Sequence, residues 1–168
     1  MDQIAVFCAN YLYLILLLLA AVWLFFQPRQ AKLDMVCWGL FALPAMYVML
    51  LIAGMVYDDP RPFVTGHFTP LIPHAADNGF PSDHTLLCSA TSIIVLLFSR
   101  RMGTVLWCLT LAVGLSRVYV GVHHLTDILG SIAIAIAVGS LVWIFLVPRL
   151  RHTEVYEQAS AKLLASST

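Results

Sequence analysis

The sequence predicts an all-α polytopic bundle of about five membrane-spanning helices, and three observations carry that expectation. Hydrophobic residues occupy 61% of the 168 positions and charged residues 11%, whereas a soluble domain holds roughly half and a quarter. The apolar surplus falls into five long blocks. Prolines and ionisable residues collect between the blocks, with the longest polar stretch between the second and third.

The first block, residues 4–26, reads as a retained span. A signal peptide would open with basic residues and a shorter apolar region, but here Asp2 precedes 23 apolar-run residues. The second block, 35–56, and the fifth, 125–147, also exceed the roughly 20 residues that cross a bilayer core. Blocks 85–98 and 104 to about 120 reach that length only with their polar flanks. On the fifth block Ser131, Ala135 and Gly139 recur every four residues, a small-residue face suited to close helix packing within the monomer. One domain is expected over residues 1–168, of which 148–168 form a short cytoplasmic tail.

Orientation follows from the nine basic residues. Arg29 and Lys32 lie between blocks one and two, Arg100 and Arg101 between three and four, and Arg149, Arg151 and Lys162 after five. The positive-inside rule makes those segments cytoplasmic. Arg61 and Arg117 are left on the other side, with His67, His74, His84, His123 and His124 and with Asp58, Asp59, Asp77, Asp83 and Asp127. Candidate chemistry therefore converges on the extracytoplasmic face. Cys8, Cys37, Cys88 and Cys108 are dispersed without metal-type spacing and read as packing residues. No basic stripe or repeat suggests nucleic acid as a partner, and membrane lipids are the expected surroundings.

Residues 57–82 form a long loop interrupted by Pro60, Pro62, Pro70, Pro73 and Pro81. Its Phe63, Phe68, Leu71, Ile72 and Phe80 predict an ordered loop lying on the membrane surface, bringing Arg61 near His84. Ser82 is placed to cap the third span, whose N-terminus would favour an anion. Arg61 and Arg117 add planar forks of donors that match phosphate oxygens. His123 and Asp127 are four apart, so on a helix they share a face. An aspartate accepting Nδ1–H would leave Nε2 free as a nucleophile, and His84 could donate a proton to the leaving oxygen. Gly121 is expected to break the helix between Arg117 and His123.

Taken singly, these residues have plainer readings. An arginine at a span end snorkels to the headgroups; His67, His124 and His152 read as amphipathic surface residues; Asp83 reads as part of a helix start. A metal site on His84, His123 and Asp127 is the weaker alternative. The plainer readings leave unexplained why so many groups share one face.

The motifs resemble the type 2 phosphatidic acid phosphatase superfamily, whose third signature is complete as Ser116, Arg117, His123 and Asp127. More narrowly, "PRPF", "LIPHAAD", "FPSDHT" and "SRVYVGVHHLTDILGS" are similar to bacterial undecaprenyl-diphosphate phosphatases of the bacitracin-resistance type, over roughly residues 57–131. The resemblance implies a metal-free and cofactor-free phosphatase of the bacterial plasma membrane, its site facing the periplasm or cell exterior, that converts a polyprenyl diphosphate into the monophosphate and inorganic phosphate. It implies His123 as the phosphorylated nucleophile, Asp127 as its orienter, His84 as general acid, and Arg61, Ser82 and Arg117 as phosphate holders. Two positions depart from the superfamily pattern: its lysine would fall at Gly54, and the glycine of its second motif is Asp83. Phosphatidate, phosphatidylglycerophosphate or lipid A are the alternative substrates, and a transporter or scaffold is the non-enzymatic alternative.

Overall fold

The computed structural model describes residues 1–165, and they form a helical bundle. The last three residues of the expected tail lie outside the described residues. Helix α1 spans Asp2–Phe25, with Asp2 in its first turn where the helix dipole favours an acid. After a tight connection through Pro28, α2 runs over Arg29–Val56. A single turn, α3 (Pro62–Thr65), punctuates the long loop. Helix α4 (Asp83–Phe98) begins at Ser82, and Ser99 ends it while capping α5 (Arg100–Tyr119) by accepting the Met102 N–H at 3.3 Å. Helix α6 (Leu125–Leu141) continues through a π turn (Val142–Leu146) into α7 (Val147–Arg151). The π turn lies just before Pro148, which lacks the N–H that an unbroken α-helix would use.

Among the described residues, four helices are long and apolar enough to cross a membrane: α1, α2, α5 and the continuous α6–α7 rod. The remaining expected span, the third block, is α4, which has only 16 residues, about 24 Å at 1.5 Å per residue. It is nevertheless the centre of the bundle. One side of α4 packs Leu86, Ala90 and Ile93 against Trp38, Met46 and Ala135. The other joins Cys88 and Val95 to Leu16, Leu106 and Val113. Between α4 and α5, the buried Ser92 and Thr110 hydroxyls satisfy each other at 2.8 Å. The small-residue face of α6 works inside the monomer as expected. Gly139 lies beneath Trp38 and accepts its indole N–H at 3.0 Å, while Ala135 is fully buried.

The tail is more structured than the sequence suggests. Helix α8 (Glu154–Ala165) follows α7 and returns to α2. The buried Asp34 of α2 accepts from Arg151 Nε at 3.0 Å and from Tyr156 Oη at 2.6 Å. A buried carboxylate requires such partners, and these fasten the end of the bundle where α2 begins and α7 ends.

Helices α4 and α5 approach closely because Gly103 has no side chain. An added Cβ there would lie 2.4 Å from the Leu96 Cα, and backbone cannot move aside as a flexible side chain can. Gly103→Ala is therefore expected to destabilise the folded protein by about 1–3 kcal/mol, the usual range for overpacking. Thermal unfolding of the purified variant in detergent measures it; an unchanged Tm would show that the hairpin relaxes freely.

Candidate active site

Four helix ends on one side of the bundle deliver the candidate residues: Arg61 just beyond α2, Ser82 and His84 at the start of α4, Arg117 at the end of α5, and His123 and Asp127 at the start of α6. Arg61, Ser82, Arg117, His123 and Asp127 are all buried. Charges are rarely buried without partners; here His123 joins Asp127 and faces Arg61, while Asp77 and His74 of the loop meet the two arginines.

The His123–Asp127 pair forms, though not on a continuous helix face. Helix α5 stops at Tyr119, and Gly121 (φ 84°) turns the chain in the left-handed region that glycine adopts freely, so the expected break is present. His123 thus stands in the turn before α6 and Asp127 in its first helical turn. Asp127 Oδ2 accepts from His123 Nδ1 at 3.0 Å and from the His124 N–H at 2.9 Å. The other ring nitrogen, Nε2, faces Arg61 Nη1 at 3.4 Å. This arrangement fixes the neutral tautomer with hydrogen on Nδ1 and a lone pair on Nε2.

Arg61 is held at both ends of its guanidinium. Nη1 donates to the Val122 carbonyl at 2.8 Å, and Nε donates to Asp77 Oδ1 at 2.6 Å. The loop thus brings Arg61 against His123. Arg117 directs Nη2 to His74 Nε2 at 3.2 Å, while its buried Nε has no hydrogen-bond partner. That unmet donor is suited to an incoming anion. Ser116 donates its hydroxyl to the Val113 carbonyl at 2.7 Å and so serves the helix.

Ser82 caps α4 as the sequence predicts, its Oγ accepting from the Thr85 N–H at 3.4 Å and the Thr85 hydroxyl at 3.1 Å. His84 follows one residue after Asp83, whose Oδ1 accepts from the His84 N–H at 2.8 Å and faces His84 Nδ1 at 2.9 Å. Asp83 is therefore more than a helix start. The His84 ring rests edge-on against Tyr13, centroids 4.7 Å apart, so each histidine of the site has its own aspartate. Between α2 and α4 lies an apolar cavity of about 430 Å³, lined by Leu43, Met46, Leu50 and Leu86, with Asp83 on its wall.

Several contributors were not foreseen. His74 enters from the loop against Arg117, its ring 6.2 Å from that of His123. Asp77 holds Arg61, and Asn78 ties the loop together, bonding the Gly54 and Tyr57 carbonyls and the Asp59 and Phe80 N–H groups. His124, expected on the surface, instead faces Asp59 at 3.2 Å. Asp59, His124 and Asp127 bring ligand atoms within 4.8 Å of one another, and this is the candidate metal-binding trio among the described residues. It differs from the His84, His123 and Asp127 trio considered from sequence.

Burial is the largest influence on His123 and pushes its pKa below the usual 6.5; Asp127 opposes the shift, and the charges of Arg117 and Arg61 reinforce it. Histidine NMR of the protein in detergent is expected to show His123 titrating below pH 6.5, with hydrogen on Nδ1 above that point. A midpoint above 6.5 would mean that Asp127 outweighs burial and both arginines.

A family model described as the PAP2 superfamily matches residues 35–151. The chain is 40% identical over 146 residues to "Undecaprenyl-diphosphatase BcrC" of Bacillus subtilis, covering 86% of this chain and 75% of that protein. It is 27% identical to "Bacitracin transport permease protein BcrC" of Bacillus licheniformis, over 99% of this chain and 83% of the relative. Among solved structures, Aquifex aeolicus LpxE shares the fold with a TM-score of 0.70 at 20% identity, over 86% of this chain and 88% of that one.

Proposed function

The chain belongs to the PAP2 superfamily, and on that premise we propose that it is a membrane phosphatase that hydrolyses undecaprenyl diphosphate to undecaprenyl phosphate and inorganic phosphate. The observation that carries the reading is a buried imidazole with its hydrogen held by Asp127 at 3.0 Å and its lone pair facing Arg61 at 3.4 Å. A desolvated, oriented nitrogen that faces one guanidinium and feels the charge of a second suits attack on a phosphoryl group. The 40% identity to a named undecaprenyl-diphosphatase supports the substrate.

In the first step His123 Nε2 attacks the terminal phosphorus. An N–P bond forms, the bond to the bridging oxygen breaks, and the lipid monophosphate leaves. Arg61, Arg117 and the capped start of α4 at Ser82 hold the phosphoryl oxygens, whose charge is spread in the transition state. Asp127 accepts the Nδ1 hydrogen throughout. His84 donates to the leaving oxygen, then takes a proton from the water that cleaves the N–P bond and releases phosphate. The cavity beside Asp83 offers the first isoprene units an apolar lodging. The basic residues facing the opposite side favour a periplasmic or exterior site. A transport pathway would need charges at successive depths, whereas these gather at one end of the bundle.

Rapid acid and alkaline quenches test the nucleophile directly. Phosphate is expected on the protein in an acid-labile, base-stable form during turnover. His123→Ala should remove both label and turnover, and Asp127→Asn should lower turnover by at least about 100-fold, in keeping with loss of an orienting aspartate. Label that persists in folded His123→Ala would remove the residue from this role.

The leaving group separates the role of His84 from simple binding. A phosphate monoester leaves readily, while a lipid alkoxide needs a proton. His84→Gln is therefore expected to depress kcat/KM for lipid monophosphates more than for undecaprenyl diphosphate. Equal losses, measured where chemistry limits the rate, would assign His84 to binding.

A further inference from the structure

His74 lies outside every motif residue to which the reaction above assigns a role, yet it reaches the same pocket. Its placement is firm. The Leu71 N–H bonds the Val120 carbonyl at 3.0 Å, and Ile72, 5% exposed, packs with Val120, Val122 and Ala9. Two residues later the His74 ring faces inward. Nδ1 is 3.3 Å from the Ala75 carbonyl and so carries hydrogen, which leaves Nε2 as acceptor for Arg117 Nη2 at 3.2 Å. The groups acting on the ring are Arg61 and Asp77 of the loop, Arg117 of α5, and His123 of the turn before α6.

Gly54 stands where the superfamily motif has a lysine. An added Cβ there would lie 3.1 Å from the Phe80 carbonyl oxygen, with the Asn78 amide 3.8 Å away. The loop that carries His74 has closed over that position, so a lysine could not reach the pocket from there without displacing it.

We propose that His74 is a further phosphate-binding residue, taking the place of the cation missing at Gly54, and that its ligand is the phosphoryl group bound by Arg61 and Arg117. This rests on the proposed function for the phosphate-holding roles of Arg61 and Arg117 and for the identity of the lipid. Burial, Arg61 and Arg117 lower the His74 pKa below its usual 6.5, against the hydrogen bond to the Ala75 carbonyl. When a phosphoryl group enters, the Arg117 N–H turns to it. Nε2, relieved of that donor, takes one proton from solvent and donates to a phosphoryl oxygen. Arg61, released from Asp77, can turn its Nε–H to another phosphoryl oxygen with no change of protonation.

The probe is inorganic phosphate, titrated against the full chain in detergent by calorimetry and as an inhibitor of turnover. His74→Ala is expected to weaken phosphate binding about 10- to 100-fold, the range for losing a hydrogen bond to a charged group. KM should rise in the same direction while kcat falls less. His74→Lys should recover most of the loss, and His74→Gln should fall between, because it keeps a donor without the charge. A packing role alone would not be rescued by lysine, whose shape is unlike imidazole. Phosphate affinity within twofold of the parent in folded His74→Ala or His74→Gln, or no recovery with lysine, would overturn the assignment. A parent that hydrolyses no lipid diphosphate would overturn the proposed function, whereas the His74 series is read on phosphate itself.

Discussion

One buried residue, Asp127, ties the turn before α6 to the start of α4 through its carboxylate and its backbone carbonyl. Asp127 reaches three separate segments within one helical turn. Its side chain takes hydrogens from His123 Nδ1 and the His124 backbone, and its carbonyl oxygen accepts from the Ser82 N–H at 3.3 Å and the Ser131 hydroxyl at 2.8 Å. Gly79 lies so close that an added Cβ would be 3.0 Å from Asp127 Oδ2. Oδ2 thus binds the turn before α6, the backbone carbonyl binds the start of α4, and Oδ1 is buried without a hydrogen-bond partner. The reactive imidazole is oriented by the same contacts that join these segments.

The two arginines follow a different logic. Neither is paired with Asp127; each is held by the loop, Arg61 by Asp77 and Arg117 by His74. Asp77 is 60% exposed on its side chain, so it can exchange its contact for water when an anion arrives. Burial discourages the charge on Asp77, but the hydrogen bond and charge of Arg61 outweigh it and keep its pKa below 3.8. A firm scaffold thus carries His123, the proposed nucleophile, while replaceable partners occupy the two guanidinium forks.

Much of this could be read before any coordinates. Two rules of spacing were enough for Ser82 at a helix start and for His123 four residues before Asp127. The second succeeded for a reason other than the one that suggested it, since a capping turn, not a helix face, unites the pair. Residues 74–78 resisted reading because their partners lie far away in the chain and loops have no periodicity to betray an inward side. His124 was misjudged for the same reason, its partner Asp59 being distant in sequence. The docking of α8 likewise depends on the Asp34–Arg151 and Asp34–Tyr156 contacts, which no local pattern announces.

The shortness of α4 bears on the bilayer itself. Its 16 residues are bounded by serines at both ends, and about 24 Å of helix stands in a hydrocarbon layer of about 30 Å. Leu87, Leu96 and Leu97 on its flank are exposed, so lipid meets this helix directly. A short hydrophobic surface is accommodated by local thinning, which lowers the polar boundary beside His84. A diphosphate anchored by a long tail would then meet the imidazoles at its own depth, and bilayer thickness would set how readily it does so.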